Sequence, residues 1–384
     1  MSLLTERVSV VRRVGGGAHP TVYRVVALVV GLAIGTGIAQ VYVQGTNVYD
    51  TIYTATVGSA YGATAVLSYA GPLALTALAF AVTYKLRLWN LGADGQFFMG
   101  AWAASGIAFT FPGVPGPLLI ASMIVASAVA GALWVLVPAL ARVYLGVTEV
   151  VTTLMLNFVA VLWITYFAFN VWPAPGTPLA TTRDLPTRTD VPTVTIGGVS
   201  VESGLILGVG LAVALAIAFR TTRLGYAVRV TGASARAAEY AGIPIRRLQM
   251  RIFLLSGAIA GMAGCFEVVG SLHHLSTDLS NNTGYNGIAV AVLAGSSFGI
   301  VPLMALVFGG LLAAGNALTV DGLSTDATLF LTGFVLLLAA IGESASRFRF
   351  IVAPRGAAAP ATKPADPKGP EIERGAAGTA RETA

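Results

Sequence analysis

Charge is the scarcest property of this chain. Asp, Glu, Lys and Arg together make up 10% of its 384 residues, and hydrophobic residues make up 55%. Soluble domains carry about 25% charged residues, so this composition excludes an ordinary soluble domain. Lysine occurs three times, at Lys85, Lys363 and Lys368. None closes a G-x-x-x-x-G-K-[ST] loop, so that phosphate-cradling motif is missing. The histidines number three and form no H-E-x-x-H pair. His273 and His274 are adjacent, which on a helix points them to different sides and suits joint metal binding poorly. A single cysteine, Cys265, excludes an intrachain disulfide. Ionisable groups inside apolar stretches are few, and Glu267 is the one acid well inside one. Proton- or sodium-coupled carriers usually need such groups. A membrane-embedded enzyme would need clustered acids, histidines or metal ligands. Neither pattern is present.

What the chain has instead is long apolar runs. A helix needs about 20 residues to cross a ~30 Å hydrocarbon core, and these runs have that length. Ten segments are expected, at about 22–43, 68–84, 95–112, 117–141, 149–172, 204–219, 251–272, 284–297, 299–318 and 326–342. The eighth is too short to cross upright, and the second and sixth are also short. Short or interrupted spans often mark broken helices near a transport path. All 23 lysines and arginines except Arg183 and Arg188 fall on one side if both termini are cytosolic. The positive-inside rule therefore predicts an all-α membrane protein of about ten helices with cytosolic N and C termini. Residues 1–21 form a cytosolic lead-in without a cleavable signal, 22–345 the transmembrane domain, and 346–384 a disordered cytosolic tail.

Several polar stretches interrupt the apolar runs. Residues 45–66 space Tyr49, Tyr53 and Tyr61 as an interfacial helix would. The external loop 173–203 contains TVTIGGVSV, which reads as a hairpin around Gly197-Gly198; it serves either as a docking surface or as a packing lid. The cytosolic loop 220–250 contains a short helix near Ala233–Ala241, capped by Ser234 and ended by Gly242 and Pro244. Such a helix is either a lever for a soluble motor or a solvated basic loop. In span five, Glu149, Thr153, Asn157 and Thr165 share one slowly rotating face. In span seven, Ser256, Ala260, Gly264, Glu267 and Ser271 share another, suited mostly to packing. Gly31 and Gly35 form a packing pair in span one.

Four stretches carry a family likeness. LWNLGADGQFFMGAWAA (88–104), VTEVVTTLMLNFVA (147–160), GASARAAEYAGIPIRRLQMRIFLLSGAIAGMAG (232–264) and GYNGIAVAVLAGSSFGIVP (284–302) occur in order and at matching spacing. They resemble permeases of ABC importers in the branched-chain amino acid, simple-sugar and nucleoside superfamily. The N-[IL]-G-A-[ED]-G-Q turn is similar to that of the nucleoside and purine type. The departures are Asp94, where Glu is commoner, and Ser296-Ser297, where Arg or Asn types are commoner.

The resemblance implies a translocation subunit for nucleosides or related purine compounds in a bacterial plasma membrane. A simple-sugar permease is the alternative, and a stand-alone channel or secondary carrier is the reading from a different class. The implied partners are an ATPase with two nucleotide-binding halves, a second related permease and a lipid-anchored external binding protein. ATP and magnesium would belong to the ATPase, leaving this chain without a cofactor or catalytic site. Coupling would fall to Ser234, Arg236, Ala237, Ala238, Glu239, Tyr240, Ala241 and Gly242. Asn157, Glu267, Tyr285 and Asn286 would line the substrate path; Glu267 either reaches the outer surface or lines an outer vestibule. Asn90, Gly92, Asp94, Gly95 and Gln96 form the signature turn, expected at the cytosolic mouth. There Asp94 either answers the dipole of its own helix or belongs to an inner gate.

Overall fold

The computed structural model describes residues 6–12, 30–31, 33–41, 47–325 and 348–354, with single positions between 327 and 341. The chain divides into two compact units, residues 18–344 and the joined termini 1–17 with 345–384.

The larger unit is a helical bundle. It contains a short helix Val48–Tyr53, α1 here, and then α2 (Ala60–Tyr84), α3 (Ala93–Thr110), α4 (Gly116–Leu145) and α5 (Glu149–Asn170). The hairpin strands Val194–Ile196 and Val199–Val201 precede α6 (Ser203–Thr221), α7 (Arg223–Ala233) and α8 (Ala235–Tyr240). Next come α9 (Ile245–Glu267), α10 (Thr283–Leu293) and α11 (Val301–Val320). Six helices among the described residues are long and apolar enough to cross a membrane: α2, α4, α5, α6, α11 and α9 with its π-helical extension to Leu272. The 18-residue α3 packs among them as an apolar helix, and the 11-residue α10 is the short segment.

The expected segments need three adjustments. The second span is not short, because Ser59 accepts a hydrogen bond from Gly62 N and starts α2 at Ala60, giving 25 residues. Only Val48–Gly58 remains of the interfacial stretch expected over 45–66. The sixth span is also of ordinary length, 19 residues in α6. Segments 22–43 and 326–342 are described only in part. There, Gly31 and Gly35 face Val335, as packing positions would.

The chain is not wholly helical. The hairpin forms as the sequence predicts, with Gly197 and Gly198 at φ 60° and 85°. Left-handed values at both turn residues match a two-residue hairpin loop. The termini unit holds the second departure. Residues 348–354, expected in a disordered tail from 346, pair antiparallel with Glu6–Arg12, placing Glu6 opposite Pro354 and Arg12 opposite Phe348. FRFIVAP and ERVSVVR are rich in β-branched and aromatic residues, which favour extended pairing. The aromatic-free composition begins only after Pro354, outside the described residues.

Bare backbone contacts hold the centre of the bundle. A Cβ on Gly100 would collide with the Gly261 carbonyl, and one on Gly264 with the Phe97 carbonyl. Gly261 meets the Ser127 carbonyl, and Gly131 the Gly257 carbonyl, in the same way. Ser127 Oγ donates to the Gly100 carbonyl at 2.7 Å, so α3, α4 and α9 touch at backbone distance. Small residues permit such approach in membranes, where packing replaces the hydrophobic effect between helices. The span-seven stripe is therefore packing surface up to Gly264. Gly261→Val should abolish the folded chain. Overpacking typically costs ~1–3 kcal/mol, and here the obstacle is backbone that cannot turn aside. Size-exclusion chromatography of the detergent-extracted protein should show loss of the monodisperse peak.

Candidate functional site

The turn 88–96 sets the geometry of the centre. After α2 the chain turns back at Arg87, whose φ is 58°. It re-enters the bundle and starts α3 at Ala93. Asn90 is 0% exposed, Gln96 1% and Asp94 7%. The polar side chains of the turn are thus buried, while Trp89 beside them is exposed. Polar groups buried away from water must find partners, and these do. Asn90 Nδ2 donates to Gln96 Oε1 at 3.0 Å, and Gln96 Nε2 returns a bond to Asn90 Oδ1 at 2.9 Å. Asn90 also bonds Ser256 Oγ (2.8 Å) and accepts from Gly92 N (3.1 Å). Ser256 donates onward to the Ala79 carbonyl of α2 at 2.8 Å.

Asn157, on α5, closes the next ring. Its Oδ1 accepts from Gly95 N at 2.9 Å, and its Nδ2 donates to the Leu91 carbonyl at 2.9 Å and to Tyr285 Oη at 2.8 Å. The side chain is engaged at both ends. It sits on the buried stripe Glu149, Thr153, Asn157, Ala160, Ile164 and Ala168. Thr165, expected on this face, has rotated to a half-buried position beside it.

Asp94 does something the sequence did not suggest. Its Oδ1 accepts from Ser280 Oγ and from Gly284 N, the latter at 3.1 Å. Gly284 lies in the first turn of α10, and Asn282, the residue before that helix, makes no side-chain cap of its own. Asp94 therefore caps α10, a different helix from the one it begins. The available clue was SNNTG (280–284), a run of turn-forming residues ahead of a short span.

Glu267 lies elsewhere. A cavity of about 690 Å³ opens near the hairpin end of the bundle, lined by Tyr61, Ser68, Tyr69, Glu202, Glu267 and Asp278 among others. A second cavity of about 510 Å³ shares Tyr61, Ala65 and Tyr69 with it. Ser68 Oγ donates to Glu202 Oε1 at 2.6 Å, and Asn316 Nδ2 reaches Tyr69 Oη at 3.3 Å. The Glu267 carboxyl makes no hydrogen bond or ion pair among the described residues. Of the four positions expected along the path, only Glu267 lines these cavities. Asn157 and Tyr285 bond each other deeper in the bundle, and Asn286 sits half-buried on the first turn of α10. Glu202 and Asp278 carried no helical-face pattern, because both lie in loops.

The loops around the cavity are strapped together. The Thr182 and Leu185 amides donate to the Leu275 and His273 carbonyls at 2.9 and 2.7 Å. His273 Nδ1 lies 3.7 Å from Asp190 and His274 Nδ1 3.9 Å from Asp184, so the adjacent histidines serve different partners. The hairpin rests on α2, where Ser200 N donates to Thr64 Oγ1 at 3.0 Å.

At the opposite end, Glu149 accepts from Trp89 N and pairs with Arg142, both at 3.1 Å. Lys85 lies over the Phe298 ring at 5.2 Å, and burial lowers its ammonium pKa. Helix α8 forms as the sequence predicts: Ser234 accepts from Ala237 N at 3.3 Å, and Gly242 ends the turn at φ 72°. Ala238 is its buried anchor, whereas Arg236, Ala237, Glu239, Tyr240 and Ala241 are exposed, Tyr240 to 94%. The amphipathic α7 before it was not apparent in the basic loop.

Apolar helices of spanning length around a buried polar turn, with a cavity lined by tyrosines and carboxylates, fit a membrane transport protein. Residues 62–340 match the family described as "Branched-chain amino acid transport system / permease component", and the chain belongs to it. It is 30% identical over 301 residues to the nucleoside ABC transporter permease protein NupB of Lactococcus lactis, covering 76% of this chain and 83% of that one. It is 31% identical over 356 residues to the glucose ABC transporter permease protein TsgB13 of Haloferax volcanii, covering 89% and 92%. It is 27% identical over 333 residues to the guanosine ABC transporter permease protein NupP of Bacillus subtilis, covering 85% and 94%. The chain is an ABC-importer permease, a multi-pass protein of the plasma membrane.

Asn157→Leu removes three hydrogen bonds and leaves a carbonyl, an amide and a hydroxyl without this partner. Interhelical hydrogen bonds in membranes contribute about 0.6 to 2 kcal/mol each. The variant should melt several degrees lower in detergent, whether or not a solute is present.

Proposed function

We propose that this chain forms the translocation path for nucleosides or related purine compounds. The observation that carries the reading is the 690 Å³ cavity, where Tyr61 and Tyr69 stand beside Ser68, Glu202, Glu267 and Asp278. A nucleoside is a flat ring joined to a polyol. Aromatic faces suit the ring, and carboxylates accept hydrogen bonds from the hydroxyls. Nucleoside and guanosine permeases among the relatives support this reading. The glucose permease relative favours a second reading, a simple sugar, which would use the same carboxylates without the ring.

In this reading the chain spans the membrane about ten times with both termini cytosolic, so the cavity opens outward and α8 faces the cytosol. An external lipid-anchored protein delivers solute at the hairpin end. A second related permease completes the path. An ATPase with two nucleotide-binding halves holds ATP and magnesium and receives the exposed face of α8, from Ser234 to Gly242. The exposed Tyr240 and Glu239 beside the buried Ala238 support that docking. The signature turn serves as an inner constraint on the path.

Uptake into vesicles bearing the complete transporter tests the substrate. Labelled nucleoside should enter, excess glucose should not compete, and Tyr69→Ala should raise the half-saturation concentration. Base–aromatic stacking of ~1–3 kcal/mol corresponds to roughly five- to 150-fold. Glucose uptake without nucleoside uptake would transfer the assignment to the sugar reading. Glu239→Arg tests coupling separately: ATP hydrolysis should persist while uptake falls at least about tenfold. Undiminished uptake would count against α8 as the docking helix.

A further inference from the structure

The segment between α9 and α10 holds three of the five non-glycine residues with positive φ among the described residues. His273, Asn281 and Asn282 have φ of 55°, 39° and 62°, a region that side-chain-bearing residues occupy at a cost and keep only where surroundings impose it. Neighbouring residues here face different ways. Asp278, Leu279 and Asn281 line the 690 Å³ cavity. Ser280, between them, is 2% exposed and donates to Asp94 Oδ1. Gly284 N donates to the same oxygen at 3.1 Å. Beneath the strip, Thr76 Oγ1 bonds the Thr283 carbonyl at 3.2 Å and is 0% exposed. The cavity floor is thus a strip with left-handed backbone positions, fastened to the start of α3 by one carboxyl oxygen and, at its far end, to α2 by Thr76.

We propose that Asp94 is the latch of this floor. While it holds Ser280 and Gly284, residues 278–282 close the cavity against the deeper bundle. Release of the two bonds lets the strip swing aside and opens a way toward Thr76 and the signature turn. An ordinary cap is local, supplied by the residue just before the helix. Here the cap comes from a residue 190 positions earlier, on another helix. Such a bond is made and broken when the two helices move relative to each other, which a local cap cannot do. Asp94 acts through the strip and is a positioning residue. The inference rests on the cavity being the solute chamber, but its test needs no solute.

The single cysteine makes the test clean, because Cys265 is fully buried. Thr76→Cys is placed in a Cys265→Ala background of the complete transporter in membrane vesicles. A membrane-impermeant maleimide is then applied from the hairpin side. With Asp94 intact, labelling of position 76 should be slow. With Asp94→Ala, or with Ser280→Ala, it should accelerate roughly tenfold or more, the equilibrium equivalent of losing one hydrogen bond to a carboxyl group. Asp278→Cys, on the cavity wall, should label readily in every background and reports that the chamber is formed and open. Slow labelling at 76 in both latch variants, with normal labelling at 278, overturns the proposal. If Asp94→Ala does not assemble, Ser280→Ala decides alone, since it removes one hydroxyl and leaves the carboxyl on Gly284. Failure of nucleoside uptake with accelerated labelling at 76 would reject the substrate and retain the latch.

Discussion

Everything at the centre of this protein depends on satisfying a polar turn where no water is available to do it. Asn90, Asp94 and Gln96 enter a bundle whose surroundings are lipid and apolar side chain. Each unsatisfied group there costs several kcal/mol. The solution is convergence. Four segments supply partners directly: α5 through Asn157, α9 through Ser256, the 280 strip through Ser280, and α10 through Gly284; Ser256 then relays the network to Ala79 of α2. None of these contacts can be satisfied by sequence neighbours alone, so the turn fixes the mutual positions of four helices and one loop.

The glycine contacts are the second half of the same constraint. Polar groups can converge only if the backbones carrying them come close, and Gly100, Gly261 and Gly264 allow that among α3 and α9. The result is a centre that is both bonded and tightly packed. The cavity lies outside this knot, toward the hairpin, where Glu202 and Asp278 come from loops and Glu267 from the end of a helix.

The sequence made some of this legible. Hydropathy located the helical segments, and Gly-Gly between β-branched runs located the hairpin. Ser234, Gly242 and Pro244 bracketed α8 correctly because caps and breakers act locally. The period of α5 placed Glu149, Thr153 and Asn157 on one buried face. What remained hidden was long-range. Nothing near Asp94 says that its partner is Ser280, because hydrogen bonds between distant segments leave no periodic trace. Asn157 was expected along the path from its place on the α5 face; that its amide is engaged by Gly95, Leu91 and Tyr285 could not be read from the sequence. Glu202 escaped notice because a loop carboxylate is unremarkable until a cavity forms beside it. The β-strand at 348–354 was masked by the composition of the tail that follows it.

The brevity of α10 has a consequence for how the protein is made. Eleven residues rise about 16 Å, roughly half of the hydrocarbon thickness. A half-span with bare amides at its start is a poor candidate for independent entry into the bilayer. The group that satisfies one of those amides, Asp94, leaves the ribosome 190 residues ahead of it. The order of synthesis therefore puts the receptor in place before its guest: α2, α3 and α9 are available when α10 emerges, and the short helix inserts into protein instead of lipid.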